Sequence, residues 1–136
     1  MIKNITVHTD EHADGFIENT TRGLYRIKDF IFGGTMLLPA IRKEFHSANI
    51  LEVTAATNGS KGGDAGHGCR TMIRLNDLAG TAIKARVIPK SINGNGGVEL
   101  LLAGDCELWT VIEGLRFAAD ALERLDKEAS LQNEII

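Results

Sequence analysis

Alternation of apolar and polar residues along residues 2–7 predicts a short strand with Ile5 and Val7 on one face. Residues 9–21 are polar and carry Asp10, Glu11, His12, Asp14 and Gly15, a composition that predicts a loop. Two apolar-rich stretches follow, 24–32 and 35–45, separated by Gly33-Gly34. The first predicts a short helix or strand. The second contains Pro39, which suits the first turn of a helix, so a helix is expected near residues 38–46.

From residue 50 the pattern changes to short β-like runs. Residues 50–57 predict a strand, and a glycine-rich loop follows. Residues 71–75 predict a second strand, with Met72 and Arg74 on one face and Ile73 and Leu75 on the other. Residues 76–80 read as a turn. Residues 82–88 predict a third strand whose Lys84 and Arg86 face solvent or a ligand. Residues 89–97, with Asn93-Gly94-Asn95-Gly96-Gly97, form a second glycine loop, and Asn-Gly pairs favour hairpin turns. A fourth strand is expected at 98–103, and short connections make consecutive antiparallel pairing the economical topology.

The C-terminal segment carries the clearest helical period. Asp105 stands as its N-cap after Gly104, and Leu108, Ile112, Leu115, Ala119, Leu122 and Leu125 form one apolar stripe. That stripe is expected to cover the sheet. Residues 130–136 are expected to fray or to serve an oligomer contact. The chain therefore predicts an α+β fold: an antiparallel sheet packed against a long C-terminal helix, with a smaller helical segment near 38–46. One ligand-binding domain is expected over residues 1–136.

Composition narrows the function classes. The chain has 136 residues, 43% hydrophobic and 24% charged, with a formal net charge of -3. Long nucleic acid is a poor partner for such a surface, because that binding draws on a strong positive field. A small anion needs only a local cationic pocket. Cys69 and Cys106 make neither a disulfide framework nor a zinc pattern. No segment approaches the roughly 20 apolar residues of a membrane span, and the N-terminus lacks the apolar core of a signal peptide. A cytoplasmic location without membrane contact is expected.

The richest chemistry lies between Asn58 and Thr71. Five glycines fall between Gly59 and Gly68, interleaved with Lys61, Asp64 and His67, and Arg70 follows. Glycine admits positive φ and close backbone approach, and successive N–H groups beside a cation form an anion-binding concavity. The same composition also describes a plain connector between strands. Two phosphate motifs are excluded. Lys61 is followed by Gly62 rather than Ser or Thr, and a strand, not a helix, follows the loop.

Other readings of the same residues are weaker. Asp64, His67, Cys69 and Cys106 lack the paired spacing of a zinc site, so no metal and no cofactor are expected. His8 and His12 read as solvated surface residues. Cys69 two residues from His67 is formally a nucleophile–base pair, but a buried structural Cys is commoner. Trp109 either widens the core face or stacks on a base. Arg116, two turns later, shares its face and stands beside Phe117; a surface pair with Glu113 explains it equally.

The run Gly62-Gly63-Asp64-Ala65-Gly66-His67-Gly68-Cys69-Arg70-Thr71, the strands after it and the ending from Gly104-Asp105-Cys106-Glu107-Leu108 to Leu125 together resemble the first type of Thoeris anti-defence protein of phages. The resemblance covers residues 50–128. It implies a non-catalytic sponge, acting in the infected bacterial cytoplasm, that binds cyclic ADP-ribose isomers and, in some members, cyclic di- or trinucleotides from CBASS immunity. It also implies a homo-oligomer, a dimer or hexamer. Chemistry then assigns Arg70 and Arg116 to phosphate oxygens, with His67 and the N–H groups of Gly66 and Gly68 as further donors. Asn93 and Asn95 are assigned to a base edge or ribose, and Asn58, Lys61, Asp64, Thr71 and Trp109 complete the expected site. The alternative is a nucleotide phosphodiesterase or hydrolase using His67 with Asp64.

Overall fold

The computed structural model describes residues 9–11 and 17–135. Five strands come first: β1 (Thr9–Glu11), β2 (Ile17–Lys28), β3 (Thr35–His46), β4 (Ile50–Thr57) and β5 (Thr71–Ala79). They form one sheet in chain order, every neighbouring pair antiparallel. A hairpin of β6 (Ile83–Ile88) and β7 (Gly97–Leu102) makes a separate two-stranded sheet. The helix α1 (Asp105–Ile135) follows. The α+β architecture expected from the sequence is present. The strand expected at residues 2–7, and His8 and His12, lie outside the described residues.

Three local expectations are corrected. Residues 38–46 are not helical; they belong to the twelve-residue strand β3. Met36, Leu38 and Ala40 point to one face of the sheet and Ile41 and Phe45 to the other. A strand buried on both faces shows no clean alternation, and its apolar run then resembles a helix. Pro39 is tolerated because it lies one residue beyond the Ala40↔Ala56 end of the β3–β4 ladder, where a missing N–H interrupts little. The polar stretch after residue 9 holds β1 and the start of β2 rather than a loop alone. In β2, Arg22, Arg26 and Lys28 alternate with Gly23, Tyr25 and Ile27, a half-buried strand whose charges hid it. Finally, β5 runs on through Asn76 and Asp77 to Ala79, and the turn is confined to Gly80, at φ 66°.

The helix covers one face of β3 and β4. Ile41, Phe45, Leu51, Val53 and Ala55 meet Ala118, Ala121 and Leu125 in the main core, with Phe45 and Phe117 edge to face at 5.6 Å. Helix and β4 run in the same sense. Asn49, just before β4, donates from Nδ2 to Thr110 at 3.1 Å and to Thr81 at 3.0 Å, while Ser60, just after β4, bonds Asp126. The opposite face holds Leu38, Ala40 and Ala56 under Tyr25, Ile27, Met36 and Met72. Above it, Arg74 donates to the Tyr25 hydroxyl at 3.3 Å across the two intervening strands.

The contact face of α1 matches the expected stripe only at its C-terminal end, where Leu125 is buried and Leu122 packs against the core. Thr110, Gly114, Ala118, Ala121 and Leu125 are buried, whereas Leu108, Ile112 and Leu115 are exposed. Small residues win the inner face because the helix sits close. A Cβ added at Gly114 stands 2.8 Å from Val53 Cγ2, tighter than packed carbons allow.

Candidate functional site

The glycine loop is held by its own polar side chains. Asn58 staples its ends: Nδ2 donates to Gly68 O at 3.0 Å and Oδ1 accepts from Arg70 N at 2.8 Å. The Thr57 and Thr71 hydroxyls meet at 3.1 Å. Ala65–His67 forms one 3-10 turn whose N-cap, Asp64, accepts from Gly66 N at 3.0 Å and contacts His67 Nδ1 at 3.3 Å. Gly68 N donates to Ala65 O, and Gly68 closes the turn at φ 100°. The His67 ring lies over Gly63, so a side chain there would displace the ring.

Arg70 is an internal clamp. Its Nε donates to Asp29 Oδ2 at 2.9 Å, and Nη1 donates to Ala65 O and Cys69 O. Its guanidinium stacks over Phe32 at 4.8 Å. Asp29 also accepts from the N–H groups of Ile31 and Phe32 in the β2–β3 turn. The N–H of Phe32, then Arg70 and the N–H of Ile31, hold the Asp29 carboxyl below its ordinary value against the opposing effect of burial. The backbone N–H of Ser60, then its hydroxyl, do the same for Asp126. The expectation that Arg70, Gly66 N and Gly68 N offer free donors to a phosphate is therefore corrected. Asp64 takes Gly66 N, the Ala65 carbonyl takes Gly68 N, and Asp29 with two loop carbonyls takes Arg70. Lys61 remains exposed at its rim.

The other expected residues are dispersed. Asn93 and Asn95 stand exposed in the loop that joins β6 to β7. Trp109 is exposed beside Leu108, on neither the core face nor the glycine loop. From Trp109 to Asp126, where the loop is anchored, the helix rises about 25 Å at 1.5 Å per residue. The chain does not gather these groups into one pocket. Asn58 and Lys61 do share a cleft of about 610 Å³ with Pro39, Glu128 and Gln132.

Arg116 lies in a different cleft, between β3 and α1. It measures about 440 Å³ and is lined by Lys43, Phe45, Glu113, Arg116, Phe117, Asp120 and Arg124 among others. Three cations from two elements converge there over the Phe45–Phe117 pair, with Lys43 Nζ 5.4 Å above the Phe45 ring. Lys43 and Arg124 are not among the residues expected from the sequence. Lys43 shares a strand face with Ile41 and Phe45, two residues to either side, a signal hidden by the helical reading. Arg124 lies eight residues beyond Arg116, just over two turns, so helical spacing alone pairs them.

A second polar array also escaped the sequence reading. Thr21, Arg42, Thr54 and Arg74 face one another across β2 to β5 on the sheet face away from α1. Arg42 Nε donates to buried Glu52 at 2.6 Å and its Nη2 to Glu44 at 2.9 Å; Arg74 Nε approaches Glu52 at 3.8 Å. These ion pairs account for the two arginines as structural groups.

Catalytic constellations are sparse among the described residues. Cys69 Sγ has its polar contact with the Thr71 hydroxyl at 4.0 Å rather than with His67. His67 and Asp64 form an exposed pair. Among the described residues, no group of three or more His, Cys, Asp or Glu stands together to hold a metal, and no helix is long and apolar enough to cross a membrane. No protein-family model, curated protein or solved structure matches the chain.

Proposed function

We propose that this protein binds and sequesters a cyclic nucleotide signal without cleaving it. The ligand class is that of cyclic ADP-ribose isomers, extending to cyclic di- or trinucleotides. The sequence resemblance supports the ligand class and the role as a phage anti-defence sponge in the bacterial cytoplasm. One observation supports the location: Lys43, Arg116 and Arg124 converge on one aromatic-floored cleft. Its volume is within the range that encloses small ligands. Arginines pair phosphate oxygens bidentately, and Phe117 offers apolar surface to a base. Glu113 and Asp120 at the same rim suit the hydroxyls of a ribose as acceptors. The protein acts as a homo-oligomer in this reading.

The test is direct. The protein is incubated with cyclic ADP-ribose isomers and cyclic oligonucleotides, filtered, heated, and the released material is chromatographed. Intact ligand is the expected result. Linear or hydrolysed product would favour the second reading, hydrolysis by His67 with Asp64, which rests on their 3.3 Å contact. Arg116→Ala and Arg124→Ala are each expected to weaken binding about tenfold or more, as loss of a charge-assisted contact does. Lys127→Ala, on the exposed face of α1, serves as the control. Unchanged affinity in both arginine variants would remove the cleft as the site.

A further inference from the structure

The β6–β7 hairpin is amphipathic, and the outer part of its apolar face, at Ala85, Val87, Val98 and Leu100, is exposed, while Ile83 and Leu102 at its base are half-buried. The register places Ile83 opposite Leu102, Ala85 opposite Leu100 and Val87 opposite Val98, all on one face. Lys84, Arg86, Glu99 and Leu101 occupy the other, where Arg86 pairs with Glu99. Such alternation ordinarily marks a strand pair with one face against a core. Here Val87 and Val98 expose 79% and 65% of their surface, and Leu100 is exposed too. A lone two-stranded hairpin is at best marginally stable in water.

The helix shows a matching surplus. Leu108, Trp109 and Leu115 are each more than half exposed, and Ile112 completes their stripe on the side of α1 away from the sheet. The helical period that is strongest in the sequence thus faces outward. A helix apolar on two sides packs on two sides.

The two surfaces do not cover one another within one chain. Only Ala103 and Gly104 separate β7 from α1. The base of the hairpin is fixed: Ala103 N donates to Ala82 O, and Ala82 N donates to Glu107 on the first turn of the helix. The base of the arm is thereby fixed at the start of the helix with both apolar surfaces left open, and a second copy can reach either.

We infer that the occupant of both surfaces is a second copy of this chain, the hairpin arm of each protomer packing on the Leu108–Leu115 stripe of the other. Reciprocal exchange buries each surface twice, as a two-fold symmetric interface requires. It also makes the ordinary layer of helix on sheet that neither surface has alone. The exposed apolar side chains of arm and stripe amount to roughly 700 Å² per protomer, close to the roughly 800 Å² per partner of a standard specific interface. The inference rests on the homo-oligomer part of the function proposed above and is independent of its ligand.

Sedimentation equilibrium of the parent and of two variants, Leu100→Glu on the arm and Leu115→Lys on the stripe, tests it. The parent is expected to associate. Each variant is expected to raise the dissociation constant about 30-fold or more, the scale of an interface hot spot. Both side chains are exposed, so the circular dichroism spectrum is expected to stay that of the parent. Mixing the two variants is expected to recover association. The mixed dimer confines both changes to one arm–stripe contact and leaves the other native. A monomeric parent would overturn the inference together with the homo-oligomer. Association that both variants retain would overturn the inference alone, and so would a mixture no better than its parts.

Discussion

Arg70 shows how a residue type can be legible while its role is not. Arginine in a glycine loop signals phosphate when the sequence is read alone, yet three of its hydrogen bonds and one ring face are spent inside the chain. Arg70→Ala is therefore expected to lower the thermal midpoint by several degrees and to loosen residues 58–71 in hydrogen exchange. An unchanged midpoint would return Arg70 to the list of ligand contacts. The loop is also expected to respond to acid. Asp29 and Asp126 both have folded-state pKa values below the ordinary one. A lowered value contributes stability that is complete above the unfolded value, about 3.9, and is lost as pH falls through the folded value. Amide exchange in residues 58–71 is thus expected to accelerate below about pH 4 while the β3–β4 ladder stays protected. Simultaneous loss of both would show that these carboxylates do not anchor the loop separately.

At the scale of elements, α1 turns a small residue toward the sheet and its large ones away. Gly114→Ala gains helix propensity worth up to about 1 kcal/mol. It also drives a Cβ to 2.8 Å from Val53, a buried side chain stiff at χ1. Overpacking of that kind costs about 1–3 kcal/mol. Urea denaturation is expected to show a net loss for Gly114→Ala. A gain would mean that the helix shifts outward freely. The same element marks the limit of the sequence reading. The helix itself, β4, the hairpin strands and both glycine loops were legible from period and punctuation. The side of α1 that is buried was not, because the helix has two apolar stripes and the period cannot say which meets its own chain. β3 failed for a related reason: burial on both faces erases the period of two. Of the candidate site, Arg116 was legible by its neighbours, whereas Lys43 was invisible without its strand.

For the whole molecule, the sheet and α1 form one body, and the β6–β7 arm contributes little to that core. Replacing residues 84–101 with a short glycine linker is accordingly expected to leave the helical spectrum and the β3–β4 exchange protection intact while abolishing association. Collapse of the fold on this deletion would assign the arm to the core instead.

One further consequence follows from Asp64 and Asp126, each seated on backbone N–H groups of the glycine loop, and from Asp29, which holds its Arg70. A tethered carboxylate competes at an effective concentration set by its short connection, of millimolar order or higher. Any free anion must outcompete that built-in ligand. Chloride, acetate and dilute inorganic phosphate are expected to leave such a loop closed. A partner offering several charges at once is expected to compete better, which would make the loop a threshold on valence rather than an open receptor for phosphate.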